Sequence, residues 1–155
     1  MKFLNNKAVY ITALLSFLFI VQGCAKMNNI DIIKSTYEGK TSQENGQNLV
    51  AHASDTITWK EADGFAYAGT YHGMNDITEH VFQKLASEWY NYTFTPQNYL
   101  SQDDTVVVYG TYSGTYIKTG KKMQARVAHI WQLKNQKITH FEQIVDSKMV
   151  FDAMQ

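Results

Sequence analysis

Apolar and polar positions alternate along this chain in two different periods, and the change between them divides it into parts. An uncharged apolar run from Ala8 to Val21 opens it. From Ile30 to about Ala53 the spacing is helical but interrupted: Ile30, Ile33 and Tyr37 share one face, Leu49 and Ala53 another, and Gly39 and Gly46 loosen the middle. Two short helices fit this as well as one long one. Thr56 to Lys60 alternates, with Ile57 and Trp59 on one side, and predicts a short strand. After the turn signal Asp63-Gly64, Phe65 to Tyr71 reads as a second one. The clearest helix spans Asn75 to Trp89, with an apolar stripe of Ile77, Val81, Phe82, Leu85 and Trp89 and a capping box of Asp76 with Glu79.

Beyond that helix the period changes to two. Phe94 to Leu100, Thr105 to Ile117, Lys122 to Leu133 and Ile138 to Val145 predict four strands. Lys118 to Lys121 and Lys134 to Lys137 are their tight connections, and Ser147 to Met154 is a closing helix. Helix, strand pair, helix and antiparallel meander make an α+β domain. Gly110 and Gly114 lie four apart in the longest strand, where glycine permits a bend or a bulge. A sheet bent there would curl around helices laid on its concave side and enclose an apolar, cone-shaped pocket.

The leader has the parts of a secretory signal: Lys2 and Lys7, the 14-residue apolar run, and Val21-Gln22-Gly23 before Cys24. That run is shorter than the roughly 20 residues a spanning helix needs. Val-Gln-Gly-Cys resembles the bacterial lipobox, with Gln22 departing from the usual small residue. The resemblance implies removal of residues 1–23, lipidation of Cys24, a tether over 24–29 and one domain over 30–155. The expected location is the cell envelope, anchored to its membrane, and in a Gram-negative host the outer membrane facing the periplasm, since Ala25 follows the Cys. Lipidation also removes the only thiol from catalytic use.

Without the leader 132 residues remain, the size of one domain, with a net charge near −2. No basic patch stands out, so nucleic acid is not an expected partner. Of the whole sequence's ten Tyr, eight Phe and three Trp, all but Phe3, Tyr10, Phe17 and Phe19 lie beyond the leader and supply large apolar faces with polar tips, which suits a curved sheet or a ligand cavity.

Several segments together resemble the SnoaL-like proteins of the nuclear transport factor 2-like superfamily, which also holds ketosteroid isomerases. They are Ile57 to Glu61, Phe65 to Gly73, Val106 to Gly110, Thr119 to Lys121, Ala128 to Trp131, and Lys137-Ile138 before Phe141 to Asp146. The match spans about Ile30 to Met154 and implies the same cone-shaped α+β fold. Asn135-Gln136 departs from it where the family commonly has a Gly. The fold hosts enzymes and non-catalytic binders alike, so the resemblance carries no catalytic set over.

The chemistry must come from single residues. No P-loop, H-E-x-x-H, C-x-x-C or dinucleotide fingerprint occurs, and the five histidines lack metal-ligand spacing; no metal and no cofactor are expected. His129, in phase with Val127 and Trp131, reads as a desolvated acid/base or, more commonly for such a position, as a core histidine bonded to a Tyr. Asp146 reads as a base at the cone mouth or as the cap of the last helix. Tyr112, in phase with the two glycines, reads as an oxyanion donor or a packing partner. Trp59, Tyr67 and Tyr71 are expected to form an aromatic wall near the opening, with Trp131 a further ligand contact. His72 and His140 are expected in solvent. Three functions follow: a binder of a small, mostly apolar molecule; a cofactor-independent isomerase- or cyclase-like enzyme using His129 or Asp146 as base; and a homodimeric interaction module acting through the sheet.

Overall fold

The computed structural model describes residues 27–155. Residues 1–23, Cys24 and the first part of the tether therefore lie outside the described residues. Among the described residues no helix is long and apolar enough to cross a membrane.

The interrupted N-terminal pattern resolves into two helices, α1 (Asn29–Ser35) and α2 (Ser42–His52). Asn28 caps the first by accepting from Asp31 N–H, and Thr41 caps the second by accepting from Glu44 N–H. Gly39 falls in the connection, but Gly46 lies inside α2 rather than breaking it. β1 (Ala53–Glu61) follows directly, burying Ala53, Ile57, Trp59 and Glu61.

The second strand is shorter and later than expected: Phe65 to Ala68 form turns, and β2 is Gly69–His72. The apolar Phe65 and Tyr67 that suggested a strand are buried from a turn instead. The central helix begins two residues earlier, as α3 (Gly73–Ile77), passes through a π-helical turn (Thr78–Phe82) and ends as α4 (Gln83–Glu88). Asp76 is not its cap; it sits one turn in and its Oδ2 accepts from His72 N–H at 2.8 Å. Trp89 already belongs to the next strand.

Four long strands complete the sheet: β3 (Trp89–Gln102), β4 (Thr105–Tyr116), β5 (Lys122–Lys134) and β6 (Lys137–Val145), before α5 (Ser147–Met154). The strand order is β2-β1-β6-β5-β4-β3. All neighbours are antiparallel except β1 and β6, so the sheet is mixed where an antiparallel one was expected. The meander runs away from β6, and β1 reaches its free edge from the other end of the chain, where only a parallel approach is made.

Gly110 and Gly114 allow the curl, though indirectly. β4 and β5 stay in register from Thr105–Gln132 to Thr115–Lys122. The irregularities fall in β3, between Tyr90 and Thr93 opposite Gly114 and between Pro96 and Asn98 opposite Gly110. A side chain at Gly110 would collide with the Thr95 carbonyl and the Phe94 ring. The glycine thus gives the bulged, twisted neighbour room to come close. The unclosed sheet curves over α1, α2 and the π-helical turn. Their shared core includes Ile32, Ile33, Leu49, Ile57, Trp59, Val81, Val106, Val108, Trp131 and Phe141.

Candidate functional site

The concave face and the helices leave a cavity of about 380 Å³ between them. β1, β4, β5 and β6 supply Trp59, Glu61, Tyr112, His129, Trp131, Phe141 and Gln143; the helical side supplies Tyr37, Gly46, Leu49, Val81 and Phe82. Aromatic rings make most of the wall, with Trp59 stacked on Phe141 at 3.7 Å between centroids and edge-on to Trp131 at 5.6 Å.

Glu61 is the least expected member. It is 2 % exposed, and its only side-chain hydrogen bond among the described residues comes from Trp59 Nε1–H, which donates to Oε1 at 2.7 Å. Oε2 has no partner. Burial pushes its pKa up to about 7, a rise that the Trp59 hydrogen bond partly opposes. A carboxyl near neutrality beside open space can hold or release a proton at ordinary pH. Its sequence signal was its phase: Ile57, Trp59 and Glu61 alternate on one face of β1, so a carboxylate continues an apolar row.

His129 points inward with Val127 and Trp131 and is 3 % exposed. Both ring nitrogens are engaged: Nδ1 lies 2.7 Å from Tyr37 Oη and Nε2 lies 2.6 Å from Tyr112 Oη. Trp131 Nε1–H donates to Tyr37 Oη at 2.9 Å, and Gln143 Nε2–H donates to Tyr112 Oη at 3.1 Å. Burial lowers the His129 pKa to about 3, so the ring is neutral. Burial raises both tyrosines well above their ordinary range, and at Tyr112 the charge of Glu61 adds to it. The ring is therefore a bridge between two phenols. Tyr37 and Gln143 escaped the sequence reading because their roles depend on contacts 92 and 31 residues away along the chain.

The other predicted residues divide between the cavity and elsewhere. Trp59, Trp131, Tyr112 and His129 line it. Tyr67 is buried in a second cluster with Phe65, Trp89 and Tyr112, where its hydroxyl donates to Glu88 Oε2 and accepts from Trp89 Nε1–H. Tyr71 donates to the Tyr67 carbonyl at 2.9 Å. Neither borders the cavity, so the expected wall is reduced to Trp59. Asp146 is exposed, in a shallow surface hollow with Tyr109, Arg126 and Ile144. It precedes α5 without a side-chain capping bond. The end of β6 turns it outward, because Phe141 and Gln143 occupy the inward positions. His72 is exposed and His140 half-buried. Among the described residues no group of three His, Cys, Asp or Glu is arranged to hold a metal.

Known proteins share this architecture. A SnoaL-like domain model matches residues 37–141. A nuclear transport factor 2-like protein from Burkholderia thailandensis is 39 % identical, with a TM-score of 0.77 over 81 % of this chain and 96 % of its own. Another of unknown function, from Burkholderia pseudomallei, is 19 % identical, with a TM-score of 0.74 over 84 % of this chain and 99 % of its own. TerC, co-crystallised with polyporic acid, is 22 % identical, with a TM-score of 0.71 over 81 % of this chain and 97 % of its own. No curated protein matches the chain.

Proposed function

Starting from a chain that belongs to the SnoaL-like domain family, we propose that its cavity binds a small, mostly apolar molecule and that Glu61 acts on it as a proton acceptor, in a cofactor-independent isomerase- or cyclase-like reaction. The observation that carries this reading is Glu61 itself: a carboxyl of pKa about 7 among the residues lining the cavity, oriented through Oε1 by Trp59, with Oε2 buried and without a hydrogen-bond partner among the described residues. A plain binder of apolar molecules has no use for such a group, whose burial opposes its ionised form. The volume of about 380 Å³ lies at the lower end of the range of roughly 300–1,000 Å³ for ligand pockets. It also speaks against a pocket filled by its own side chains, which the interaction-module reading requires. His129 is the weaker base, because both nitrogens already face phenols and its pKa is about 3.

A bicyclic aromatic ketone with acidic α-hydrogens, 2-tetralone, tests the proposal. Incubated with the protein in D2O and followed by NMR, its α-hydrogens are expected to exchange faster than in buffer. Glu61→Gln is expected to remove about a hundredfold or more of that acceleration. Exchange no faster than the blank, with the ketone demonstrably bound, would sink the base while leaving the binder.

The N-terminal reading complements this one. Cys24 is proposed to carry the lipid that holds the domain at a cell-envelope membrane, on the strength of the leader and Val-Gln-Gly-Cys alone. Radiolabelled palmitate should enter the protein and be lost in Cys24→Ala; labelling that survives the substitution ends the idea.

A further inference from the structure

Three residues of the cavity wall, Gly46, Leu49 and Phe82, also line an apolar groove between α2 and the segment Gly73–Phe82. Val50, Met74 and Thr78 line it too, and among the described residues none that lines it is charged. Val50 is 59 % exposed there, although its side chain is large and apolar. Gly46 stands where the two spaces meet, in the interior of α2. Glycine is the poorest helix former after proline, and packing does not ask for it here, because a Cβ would meet nothing within 4 Å. The missing side chain leaves open space that adjoins both the cavity and the groove. On the facing segment the helix changes its winding: Gln83 N–H donates to the Thr78 carbonyl, five residues back, the bond of a π turn. Thr78 and Phe82 of that turn both line the groove. Phe82 also stands edge-on to Trp59, with ring centroids 5.4 Å apart, so one ring borders both spaces.

We propose that cavity and groove are one continuous site, in which a ring system fills the cavity and an unbranched aliphatic chain passes Gly46 and lies along the groove between Val50 and Met74. The ligand class is then a ring-bearing molecule with an aliphatic tail, not a bare ring. Helical rise from Gly46 to Val50 is about 6 Å, which gives a chain of about four or five carbons a continuous apolar bed. The tail is uncharged, since an ionised one would lose its water with no partner of opposite sign among the groove's side chains. This rests on the reading of the cavity as a ligand site, and not on proton transfer by Glu61.

Calorimetry on the full-length protein with 2-tetralone and its 6-n-alkyl derivatives, methyl to hexyl, tests it. A fully buried methylene raises affinity about fourfold. In a groove open on one side about twofold is expected, so the butyl ketone should bind roughly fifteenfold more tightly than the parent, and the gain should stop near pentyl. Val50→Glu puts a charge into the groove from an exposed position, and Gly46→Trp fills the passage. Each is expected to bring the butyl-to-parent ratio down to about one. In protein carrying 13C-methyl methionine, with Met74 assigned by Met74→Leu, the Met74 methyl should show an NOE to the chain's terminal methyl. Equal affinity along the series overturns the chain subsite and leaves the cavity reading. So does a gain that survives either substitution or brings no contact at Met74, which would put the chain elsewhere. If the butyl ketone binds with its contact at Met74 and the parent does not bind, the groove stands and the cavity reading fails. If neither binds, both fall.

Discussion

Trp59 and Glu61, two positions apart on the inner face of β1, are joined by an indole N–H that donates to Oε1 at 2.7 Å. That bond fixes the direction of the carboxylate, whose Oε2 stays buried without a hydrogen-bond partner among the described residues, in a residue that lines the cavity. The i, i+2 spacing of a strand makes the contact local, so the same short segment provides both the ionisable group and its orienter.

Glu61 should therefore shape stability against pH. Its folded pKa of about 7 lies above the ordinary carboxyl value of 4.5, so its contribution is fully present below 4.5 and is lost as pH rises through 7. The shift corresponds to about 3 kcal/mol. Glu61→Gln is expected to equal the wild type near pH 4.5 and to exceed it by about that amount near pH 8, read from urea midpoints at the two values. A difference independent of pH would contradict the assigned pKa.

His129 acts with the opposite sign. Its folded pKa of about 3 lies below the ordinary 6.5, so its contribution is present above 6.5 and is lost as pH falls toward 3. Between about 4.5 and 6.5 the two groups oppose each other, and stability should be nearly flat. In Glu61→Gln that window should instead slope upward with pH, a change of shape that equilibrium unfolding at half-unit intervals resolves.

Gly46 borders the cavity and also an apolar groove formed with Val50, Met74, Thr78 and Phe82. A Cβ placed there meets nothing within 4 Å. Gly46→Ala should stabilise α2 by about 0.5–1 kcal/mol and leave ligand affinity unchanged. Gly46→Trp should keep the fold and slow ligand entry; unaltered association kinetics in stopped flow would show that the route lies elsewhere.

At the tip of the β5–β6 hairpin Asn135 and Gln136 take φ of 52° and 64°, the pair of left-handed residues of a two-residue turn. Glutamine tolerates this poorly, whereas glycine adopts it freely. Gln136→Gly should raise stability by about 0.5–1 kcal/mol, reduced somewhat by losing the Gln136 Nε2–H bond to the Met27 carbonyl. A lower thermal midpoint would mean that this bond outweighs the backbone strain.

Gly110 carries the reverse expectation. Its missing side chain is the space into which Thr95 and Phe94 fit, so Gly110→Ala should destabilise by about 1–3 kcal/mol. Gly120→Ala is a control for space alone, because no neighbour lies within 4 Å of a Cβ there, although its φ of 70° adds strain. Gly110→Ala should therefore also weaken ligand binding by displacing Phe94, whereas Gly120→Ala should not. Loss of binding in both would detach the effect from the cavity.

Periodicity by itself determined the inventory of this domain: two short N-terminal helices, a central helix, four long strands, a closing helix, and the inward phase of Trp59, Tyr112, His129 and Trp131. Those inferences hold because each depends on neighbours within one element, and because β4 and β5 stay in register, which preserves the parity of Tyr112 and His129. Tertiary structure decided the rest. It put the irregularities of the β3–β4 pairing into β3, opposite the glycines rather than on them, and laid β1 parallel to β6. It turned Asp146 outward, drew Tyr67 into a second core, and gave Glu61 its pKa through burial. A carboxylate in an apolar row can be seen in a sequence, but whether it meets a counterion, water or an open cavity depends on elements that the chain places far away.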